Sequence, residues 1–439
     1  MLERVRRYME KEGLLTPGGG VIVGLSGGAD SMALLDLLTL LGYPCVAAHC
    51  NFHLRGEESQ RDADFVRRWC KSVDVPFTSV DFDTRQYAAD RKLSIEMAAR
   101  ELRNDWFEVI RSQHDAEAIA VAHHRDDSVE TLLLNLIRGT GIRGLTGIRP
   151  KRGRVIRPLL CLTRSEIERY LDDRGIPFVY DSSNGDDRYL RNAVRMRLIP
   201  LMEELNPAVK ENIDRTAQHF SEAEKIYSAA IREQTSAVCH DGLIDIPVLK
   251  QSPSPRSLLF EILAPMGFTP SAIEDIAESM DAIPGKQFMG KSVRVIKDRD
   301  AFLITPLPDE NDPLSYRIEM GATQIDQPLQ MEIRSLGMPV TIERCSDRLY
   351  ADQDRLQFPL LLRRWEQGDW FIPFGMKGKK KLSDFFTDRK MSLYDKEKVW
   401  VLLSGEDVVW IVGERMDERY RVTRQTKRVL QIRLKREKA

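Results

Sequence analysis

The chain has 439 residues, 42% of them hydrophobic and 30% charged, which is typical of a globular protein too long for one ordinary core, so we expect two or three domains. The 66 basic and 67 acidic residues nearly balance, which excludes a generally basic nucleic-acid-binding protein and restricts any RNA contact to local patches. The sequence has no apolar run of membrane-spanning length and no cleavable apolar leader at its start, so we expect a cytosolic protein.

A short apolar strand at residues 21–25 leads into a glycine-rich turn and then a helix whose apolar residues continue to Leu41. The turn consists of Ser26, Gly27, Gly28, Ala29, Asp30 and Ser31. Two glycines leave backbone N–H groups open to an anion, the two serines add hydroxyl donors, and the helix N-terminus adds partial positive charge. This combination predicts a phosphate-binding loop.

No lysine follows the glycines, so the turn is not a Walker A loop. Asp30 stands where a carboxylate could hold Mg²⁺ bound to phosphates. The alternative, in which Asp30 only caps the helix, explains neither both glycines nor both serines.

The Ser-Gly-Gly-x-Asp-Ser pattern resembles the PP-loop of the N-type ATP pyrophosphatases. This resemblance implies that ATP is cleaved between its α- and β-phosphates, that a substrate is adenylated and that pyrophosphate is released. The pattern by itself leaves the substrate open.

A second buried strand at residues 45–48 precedes His49 and His53. Metal ligation is one interpretation of these histidines, but no third ligand lies nearby, so we favour solvated or hydrogen-bonded histidines. An amphipathic helix at residues 61–72 and a third strand at residues 77–82 follow.

The next helix begins after a capping Ser94 and places Arg100 and Arg103 on one face. Two guanidinium groups would supply the phosphate-binding charge that the lysine-free loop lacks. A solvated helix face is an equally good interpretation of the spacing alone.

A fourth strand, at residues 116–122, is followed by Asp126, Asp127 and Glu130 at the start of a helix. Ligands of open α/β sheets bind at the carboxyl ends of the strands. Capping alone would explain Asp127, but three acidic residues at this edge also suit Mg²⁺ or a cationic substrate.

Residues 138–157 contain seven arginines or lysines, including Arg138 and Arg143, and no acidic residue. A basic, glycine-rich segment beside an ATP site favours a phosphate or nucleic-acid contact over a mobile surface loop.

The second half carries a long helix at residues 211–238, a hairpin at residues 292–304, and strand patterns at 330–333, 340–343, 360–363 and 408–412. Near the end, aromatic residues alternate with Lys377, Lys379, Lys380 and Lys381. Such a segment suits RNA phosphates and stacking on unpaired bases, and a solvated lysine turn beside a local core is the alternative.

Four segments of the chain resemble the tRNA(Ile)-lysidine synthases. They are the stretch from His123 to Gly147, the Asp181-Ser182-Ser183-Asn184 segment, residues 188–195 and the Arg-Arg-Trp-x-x-Gly-Asp pattern from Arg363. The resemblance also includes the histidine segment up to Arg55, although Phe52 and Asn104 depart from the family pattern. It covers nearly the whole chain.

The resemblance implies an α/β protein with three main domains. These are a doubly wound, parallel-sheet PP-loop domain at 1–205, a mainly helical substrate-binding domain at 206–310 and, after a linker with entry strands at 311–349, a mixed α+β tRNA-binding domain at 350–439.

In this family ATP adenylates the C2 oxygen of the wobble cytidine of a CAU anticodon, and the ε-amine of free L-lysine then displaces AMP. By resemblance, Ser26 to Ser31 bind the phosphates and Mg²⁺, and Arg100 and Arg103 neutralise phosphate charge. Asp126, Asp127 and Glu130 are expected at the lysine or the metal. The residues expected at the tRNA are Arg138, Arg143, Arg191, Arg195, Lys377, Lys379, Lys380 and Lys381.

Two other functions are weighed against this one. A PP-loop tRNA thiolase is disfavoured because none of the six cysteines belongs to a Cys-x-x-Cys pair, and a non-catalytic tRNA-binding factor would bind RNA without releasing AMP. The oligomeric state stays open, with a homodimer as one alternative.

Overall fold

The computed structural model describes residues 1–54, 56–180, 190–308, 315–343 and 345–435. These residues form two compact units, Met1–Ser228 and Ala229–Ala439. No helix among the described residues is both long and apolar enough to cross a bilayer.

A six-stranded sheet organises the first unit. Its strands are β1 Val21–Gly24, β2 Cys45–Asn51, β3 Phe77–Asp81, β4 Ala118–Ala120, β5 Lys151–Arg152 and β6 Val155–Ile156. The order is β3-β2-β1-β4-β6-β5, and all neighbours are parallel except the antiparallel β5–β6 hairpin. The chain reverses direction of winding between β1 and β4, and such a switch point leaves a crevice at the carboxyl ends of the strands. The predicted doubly wound parallel sheet is confirmed.

Helices cover both faces of this sheet. They are α1 Leu2–Lys11, α2 Ala29–Leu40, α3 Glu57–Ser72, α4 Thr84–Arg91, α5 Ile95–Gln113, α6 Arg125–Arg138, α7 Arg164–Arg174, α8 Leu190–Ala193, α9 Ile199–Leu205 and α10 Val209–Val238. Val21 and Val23 face a core shared with α2 and α7, whereas Ile22 faces Phe107 and Ile110 of α5. A strand buried on both faces explains why β1 is apolar throughout.

The middle of the chain contains a sheet as well as the predicted helices. Its strands are β7 Cys239–His240, β8 Leu243–Asp245, β9 Gln287–Met289, β10 Val293–Lys297 and β11 Ala301–Pro306, in the order β7-β8-β11-β10-β9. The helices are α11 Ile246–Gln251, α12 Pro255–Leu263 and α13 Pro270–Glu278. They bury Leu258, Leu263 and Ile276 against Phe302 of the sheet.

The last part is built from antiparallel sheets and two short helices. The elements are β12 Ser315–Ile318, β13 Gln324–Ile325, β14 Met331–Gly337, β15 Arg348–Asp352, β16 Leu360–Arg364, β17 Trp370–Phe371, β18 Lys380–Lys381, α14 Leu382–Asp388, α15 Leu393–Glu397, β19 Trp400–Ser404, β20 Asp407–Ile411, β21 Arg415–Met416 and β22 Arg428–Leu434. One sheet has the order β12-β16-β19-β20-β21 and another β13-β14-β22-β15. The mixed α+β prediction for this region is confirmed.

The strand predicted at residues 340–343 is wrong, because the structure has no strand there and leaves Ile342 exposed. The strand that pairs with β22 on this side is β15, whose Leu349 and Ala351 are buried. Burial of one face, rather than local strand propensity, decides which segment pairs. The four domain boundaries given above stay a prediction.

We expect Arg4→Gln to lower the free energy of unfolding by about 1 kcal/mol at pH 7. Arg4 of α1 donates to Glu166 Oε1 of α7 at 2.7 Å and to the Cys161 carbonyl at 3.0 Å. The hydrogen bond from Arg4 lowers the pKa of Glu166 from 4.5 to about 2. A lowered carboxyl pKa stabilises the fold above the unfolded-state pKa, and this contribution is lost as pH falls. The difference between the two proteins in urea unfolding should therefore shrink from pH 4.5 to pH 2.

Arg7→Gln is the matched control, because Arg7 lies on the same helix and contacts only the exposed Glu3, at 3.1 Å. The urea concentration at its unfolding midpoint should equal that of the unaltered protein across the same pH range. An Arg4→Gln difference that stays constant down to pH 2 would contradict the assigned ion pair.

Candidate active site

A cavity of about 280 Å³ lies at the carboxyl ends of β1 and β4, where the chain reverses its winding. The glycine-rich loop supplies one wall, and β2, α5 and the end of β4 supply the others. The lining residues are Gly24, Leu25, Ser26, Gly28, Asp30, Ser31, Ala48, Cys50, Phe52, Arg103, Phe107, Val121, Ala122 and His123. The predicted loop and the predicted sheet edge therefore meet in one cavity.

The loop is shaped by one glycine in a left-handed conformation. Gly27 has φ +91°, and a Cβ there would lie 3.1 Å from Val66 Cγ2. Gly28 is extended, with φ −72°, so only the first glycine is required by the backbone angle. The Ser26 N–H donates to Ser31 Oγ at 3.2 Å, and the Ser31 hydroxyl donates to the Gly28 carbonyl at 2.9 Å. These bonds fix the turn before any ligand binds.

Asp30 occupies the first turn of α2, and its two oxygens have different surroundings. Arg164 of α7 donates to Oδ2, whereas the buried Oδ1 has no hydrogen-bond partner among the described residues and lies 3.8 Å from His124 Nε2. Burial raises the pKa of Asp30, and the charges of His124 and Arg164 oppose that change. An unsatisfied buried carboxylate oxygen suits a cation brought by the substrate.

Within the described residues, no group of three His, Cys, Asp or Glu side chains could hold a metal ion by itself. Mg²⁺ binds to proteins through one or two carboxylates together with water and substrate phosphates. The free Oδ1 of Asp30 fits that role.

Arg103 and Arg100 occupy different positions on α5. Arg103 lines the cavity, and its buried Nε has no hydrogen-bond partner. Arg100 is exposed and is absent from the cavity lining. Burial, and then the charge of Arg100, lower the pKa of Arg103. Two neighbouring guanidinium groups at this edge favour a bound anion.

The acidic cluster is already paired with arginines. Glu130, 1% exposed, accepts from Arg191 Nε at 2.8 Å and from Arg195 Nε at 2.6 Å. Arg191 also donates to Asp127 Oδ1 at 3.0 Å. The helix between α8 and α9 widens to a π-turn at Val194–Leu198, and both arginines project toward α6. Asp127 and Glu130, predicted for lysine, and Arg191 and Arg195, predicted for tRNA, thus form one ionic network.

Asp126 and Asp127 also act at helix ends. The N-cap of α6 is His124 rather than Asp127, which the sequence suggested as a cap. Asp127 lies in the first turn, where its Oδ2 accepts from the His124 N–H at 3.0 Å, and Asp126 Oδ2 accepts from the Arg164 N–H at 2.8 Å at the start of α7. Burial acts to raise the pKa of Asp127, but His124 and Arg191 outweigh it and hold the pKa below its ordinary value. Asp127 is therefore ionised at neutral pH.

The basic segment after α6 is largely ordered into short elements. Arg138 ends α6 and is exposed, and a 3₁₀ turn covers Ile142–Thr146. Arg143 and Arg149 lie 3.5 and 3.3 Å from Glu224 Oε1. Arg143 is therefore partly neutralised, whereas Arg138 has no ion-pair partner among the described residues.

The four C-terminal lysines divide into two pairs. Lys379 Nζ lies 3.7 Å from the centroid of the Trp370 ring, and Lys380 forms an ion pair with Asp388 at 2.5 Å. Within the described part of the chain, Lys377 and Lys381 have no ion-pair or hydrogen-bond partner, and both are exposed. The side chains of Lys377 and Lys381 are thus engaged by neither a carboxylate nor an aromatic ring of the described residues.

Both His49, within β2, and His53, just after it, are hydrogen-bonded. His49 Nδ1 lies 2.8 Å from the Leu25 carbonyl, to which it can only donate, and His53 Nε2 lies 2.8 Å from Asp81 Oδ1. Burial lowers the pKa of His49 and favours its neutral form. The hydrogen-bonded interpretation of these residues is confirmed.

Comparison with known proteins identifies three consecutive regions. A PP-loop domain model matches residues 2–202, a TilS substrate binding domain model residues 240–307 and a TilS substrate C-terminal domain model residues 360–434. The tRNA(Ile)-lysidine synthase of Parabacteroides distasonis is 48% identical over 433 residues, which cover 98% of this chain and 99% of that protein. The chain belongs to the tRNA(Ile)-lysidine synthase family.

Other members are similar over nearly their full length. The tRNA(Ile)-lysidine synthase of Bacteroides thetaiotaomicron is 49% identical and that of Porphyromonas gingivalis 43%, with 98% and 96% of each chain covered. The U34-tRNA thiolase NcsA from Methanococcus maripaludis, solved with its [4Fe-4S] cluster, is 17% identical with a TM-score of 0.43 and covers 50% of this chain and 79% of its own. The predicted family is confirmed, and its PP-loop domain implies ATP binding.

Two parts of the lysidine synthase resemblance lie outside the described residues. These are Arg55 and residues 181–189, which include the Asp-Ser-Ser-Asn segment. Arg164 and His124, in contrast, are well described and were not predicted as site residues. Arg164 is 134 residues from Asp30 in sequence, so no local pattern could have revealed their contact.

We expect a double-mutant cycle of Glu130→Gln and Arg195→Gln to give a coupling energy above about 1 kcal/mol in urea unfolding, because the carboxylate is buried and hydrogen-bonded. The pKa of Arg195 is raised chiefly by its hydrogen bond to Glu130, which indicates the same attraction.

The Glu203–Lys210 pair is the control, since its atoms are 2.9 Å apart but both side chains are more than one-third exposed. Its coupling should be below about 0.5 kcal/mol. Equal coupling in the two cycles would show that the Glu130 network does not depend on burial.

Proposed function

We propose that this chain uses ATP to join L-lysine to the C2 position of the wobble cytidine in a tRNA(Ile) with a CAU anticodon. It is thus a ligase that forms a carbon–nitrogen bond through an adenylated tRNA intermediate. The near-complete match to tRNA(Ile)-lysidine synthases, 48% identity over 98% of the chain, carries this proposal.

ATP binds in the cavity with its phosphates on the loop Ser26 to Ser31. The backbone N–H groups, the serine hydroxyls and the start of α2 bind phosphate oxygens, and Arg103 adds positive charge from the opposite wall. Adenylation turns the C2 oxygen of the cytidine into part of a good leaving group, AMP, which the ε-amine of lysine displaces.

Mg²⁺ is the proposed metal, held by Asp30 Oδ1 together with the ATP phosphates and water. When bound, it would neutralise charge that develops on the departing pyrophosphate. Arg164 keeps the Asp30 carboxylate turned toward the loop.

The lysine ammonium groups are assigned to the acidic cluster of Asp126, Asp127 and Glu130. Because both Glu130 oxygens accept from guanidinium groups, a bound ammonium would share this carboxylate with Arg191 and Arg195. The arginines thus hold the acidic side chains in place until the substrate enters.

The tRNA is assigned to the basic surfaces. These include Arg138 and Arg143 after α6 and, in the C-terminal part, Lys377 and Lys381, whose charges are not neutralised by an ion pair among the described residues. A homodimer stays a prediction.

A PP-loop tRNA thiolase is the second candidate, and the state of the cysteines disfavours it. Burial raises the pKa of Cys50 to about 12 and those of Cys45 and Cys70 to about 11, so these thiols are protonated at neutral pH. Sulfur transfer needs a reactive thiolate. A non-catalytic tRNA-binding factor is the third, and it would release no AMP.

The deciding experiment is mass spectrometry of nucleosides after incubation of a CAU-anticodon tRNA with the protein, ATP, Mg²⁺ and isotopically labelled lysine. Lysidine carrying the label supports the proposed ligase. A thiolated nucleoside would favour the thiolase, and unmodified tRNA with intact ATP would favour the binding factor.

We expect Asp30→Asn to reduce ATP/pyrophosphate exchange and lysine incorporation by at least about 100-fold, because the carboxylate would hold the Mg²⁺ that neutralises negative charge in the transition state. The control is Asp36→Asn on the same helix, where the carboxylate binds Arg174 at 3.1 Å away from the cavity. Unchanged ATP/pyrophosphate exchange in Asp30→Asn would show that Asp30 does not take part in the reaction.

We expect replacement of all four C-terminal lysines by glutamine to weaken tRNA binding and to flatten its salt dependence. Most of the effect should come from the pair Lys377→Gln and Lys381→Gln, since the other two lysines already have partners. Filter binding between 50 and 300 mM salt measures both quantities. Unchanged affinity in the fourfold variant would assign this segment to ordinary surface.

A further inference from the structure

Three arginines at the catalytic edge of the sheet have no carboxylate partner among the described residues. These are Arg100, Arg103 and Arg157. Other arginines of this region are ion-paired, as Arg164 is with Asp30 and Arg195 with Glu130. Unneutralised, partly buried charge is costly, and proteins retain it where a ligand supplies the opposite charge.

Arg157 follows β6 and is held in a fixed position. Its backbone N–H donates to the Pro150 carbonyl at 2.9 Å, and its NH1 donates to the Arg149 carbonyl at 2.8 Å. Among the described residues its buried Nε has no hydrogen-bond partner, and the same holds for Arg103 Nε and His123 Nδ1. Arg103 and His123 line the cavity, and Arg157 directly follows β6, the strand that pairs with β4 at this edge.

The charges in this region influence one another. Burial, and then the charge of Arg100, lower the pKa of both Arg103 and Arg157. Burial lowers the pKa of His123 to about 4, and Arg157 and Arg103 contribute to that change. The imidazole is therefore neutral at pH 7, and the repelling guanidinium groups are placed to share an anion.

We propose that Arg157, with Arg100 beside it, binds a phosphate of the RNA backbone next to the nucleotide that enters the ATP cavity. This inference rests on the proposed function. It assigns to Arg157 the positioning of the RNA strand rather than the binding of ATP.

The position of Arg157 favours the RNA over ATP as the source of this phosphate. Arg103 lines the cavity that contains the phosphate-binding loop, whereas Arg100 and Arg157 are absent from its lining. β6 pairs in parallel with β4, and the Val121 N–H donates to the Ile156 carbonyl at 3.0 Å, so Arg157 leaves β6 at the same sheet edge as His123, which lines the cavity. Arg157 is thus placed beside the cavity lining, where the backbone of an RNA would pass if one of its bases is to reach ATP.

The test compares binding of a CAU-anticodon tRNA and of a non-hydrolysable ATP analogue by Arg157→Gln. We expect tRNA affinity at 150 mM salt to fall about fivefold and the slope of log K against log salt to become shallower by about 0.7 to 0.9, as for the loss of one phosphate contact. The affinity for the ATP analogue, measured without RNA, should change by less than about twofold.

Two further variants separate charge from structure. Arg157→Lys keeps the charge but loses the bond to the Arg149 carbonyl, and it should restore most of the salt slope. Arg7→Gln removes an exposed arginine of α1, outside the basic segment, which pairs with Glu3 at 3.1 Å, and it should bind tRNA like the unaltered protein.

A loss of ATP-analogue affinity with unchanged tRNA binding would overturn the proposal and assign Arg157 to ATP. An unchanged salt slope in Arg157→Gln would also overturn it, as would an equal change in Arg7→Gln. Lysidine formation by the unaltered protein is measured separately, so an active enzyme whose Arg157→Gln variant binds tRNA normally refutes this inference alone.

Discussion

The sheet edge at the carboxyl ends of β1 and β4 depends on the partly buried contact between Asp30 and Arg164. Asp30 follows the turn that Gly27 makes possible, and the Arg164 N–H donates to Asp126 Oδ2 at 2.8 Å. The other Asp30 oxygen has no hydrogen-bond partner among the described residues, so the fold places a negative atom beside the turn proposed to bind phosphate. Because the Asp30 carboxylate is already oriented, substrate binding does not have to supply the free energy for orienting it.

In the first unit, acidic side chains and some arginines differ in whether they have an ion-pair partner. Acidic side chains are held by arginines from other elements, as the buried Glu130 is by Arg195. Arg103, which lines the cavity, and Arg100 and Arg157 have, in contrast, no carboxylate partner among the described residues. Their charges attract a polyanion, so binding of an anionic substrate would balance charge that the described residues leave unpaired.

Much of the fold could be predicted from sequence because the signals are local. The strand β1, its turn and helix α2 follow from adjacent residues, as does the Ser94 cap of α5. The partners of Asp30 and Glu130 could not be predicted, since each contact joins residues more than 60 positions apart. The false strand at residues 340–343 shows the same limit, because pairing with β22 depends on which segment is buried.

The edge strand β5 has a consequence for the behaviour of the protein in a crowded cell. It is only two residues long, and both Lys151 and Arg152 are exposed and charged. Lys151 donates to the Gly13 and Leu14 carbonyls at 3.0 and 3.1 Å, which ties this margin to the segment after α1. An edge strand that is short, positively charged and hydrogen-bonded to another segment pairs poorly with a strand of a second chain. The sheet is therefore protected at this edge against aggregation.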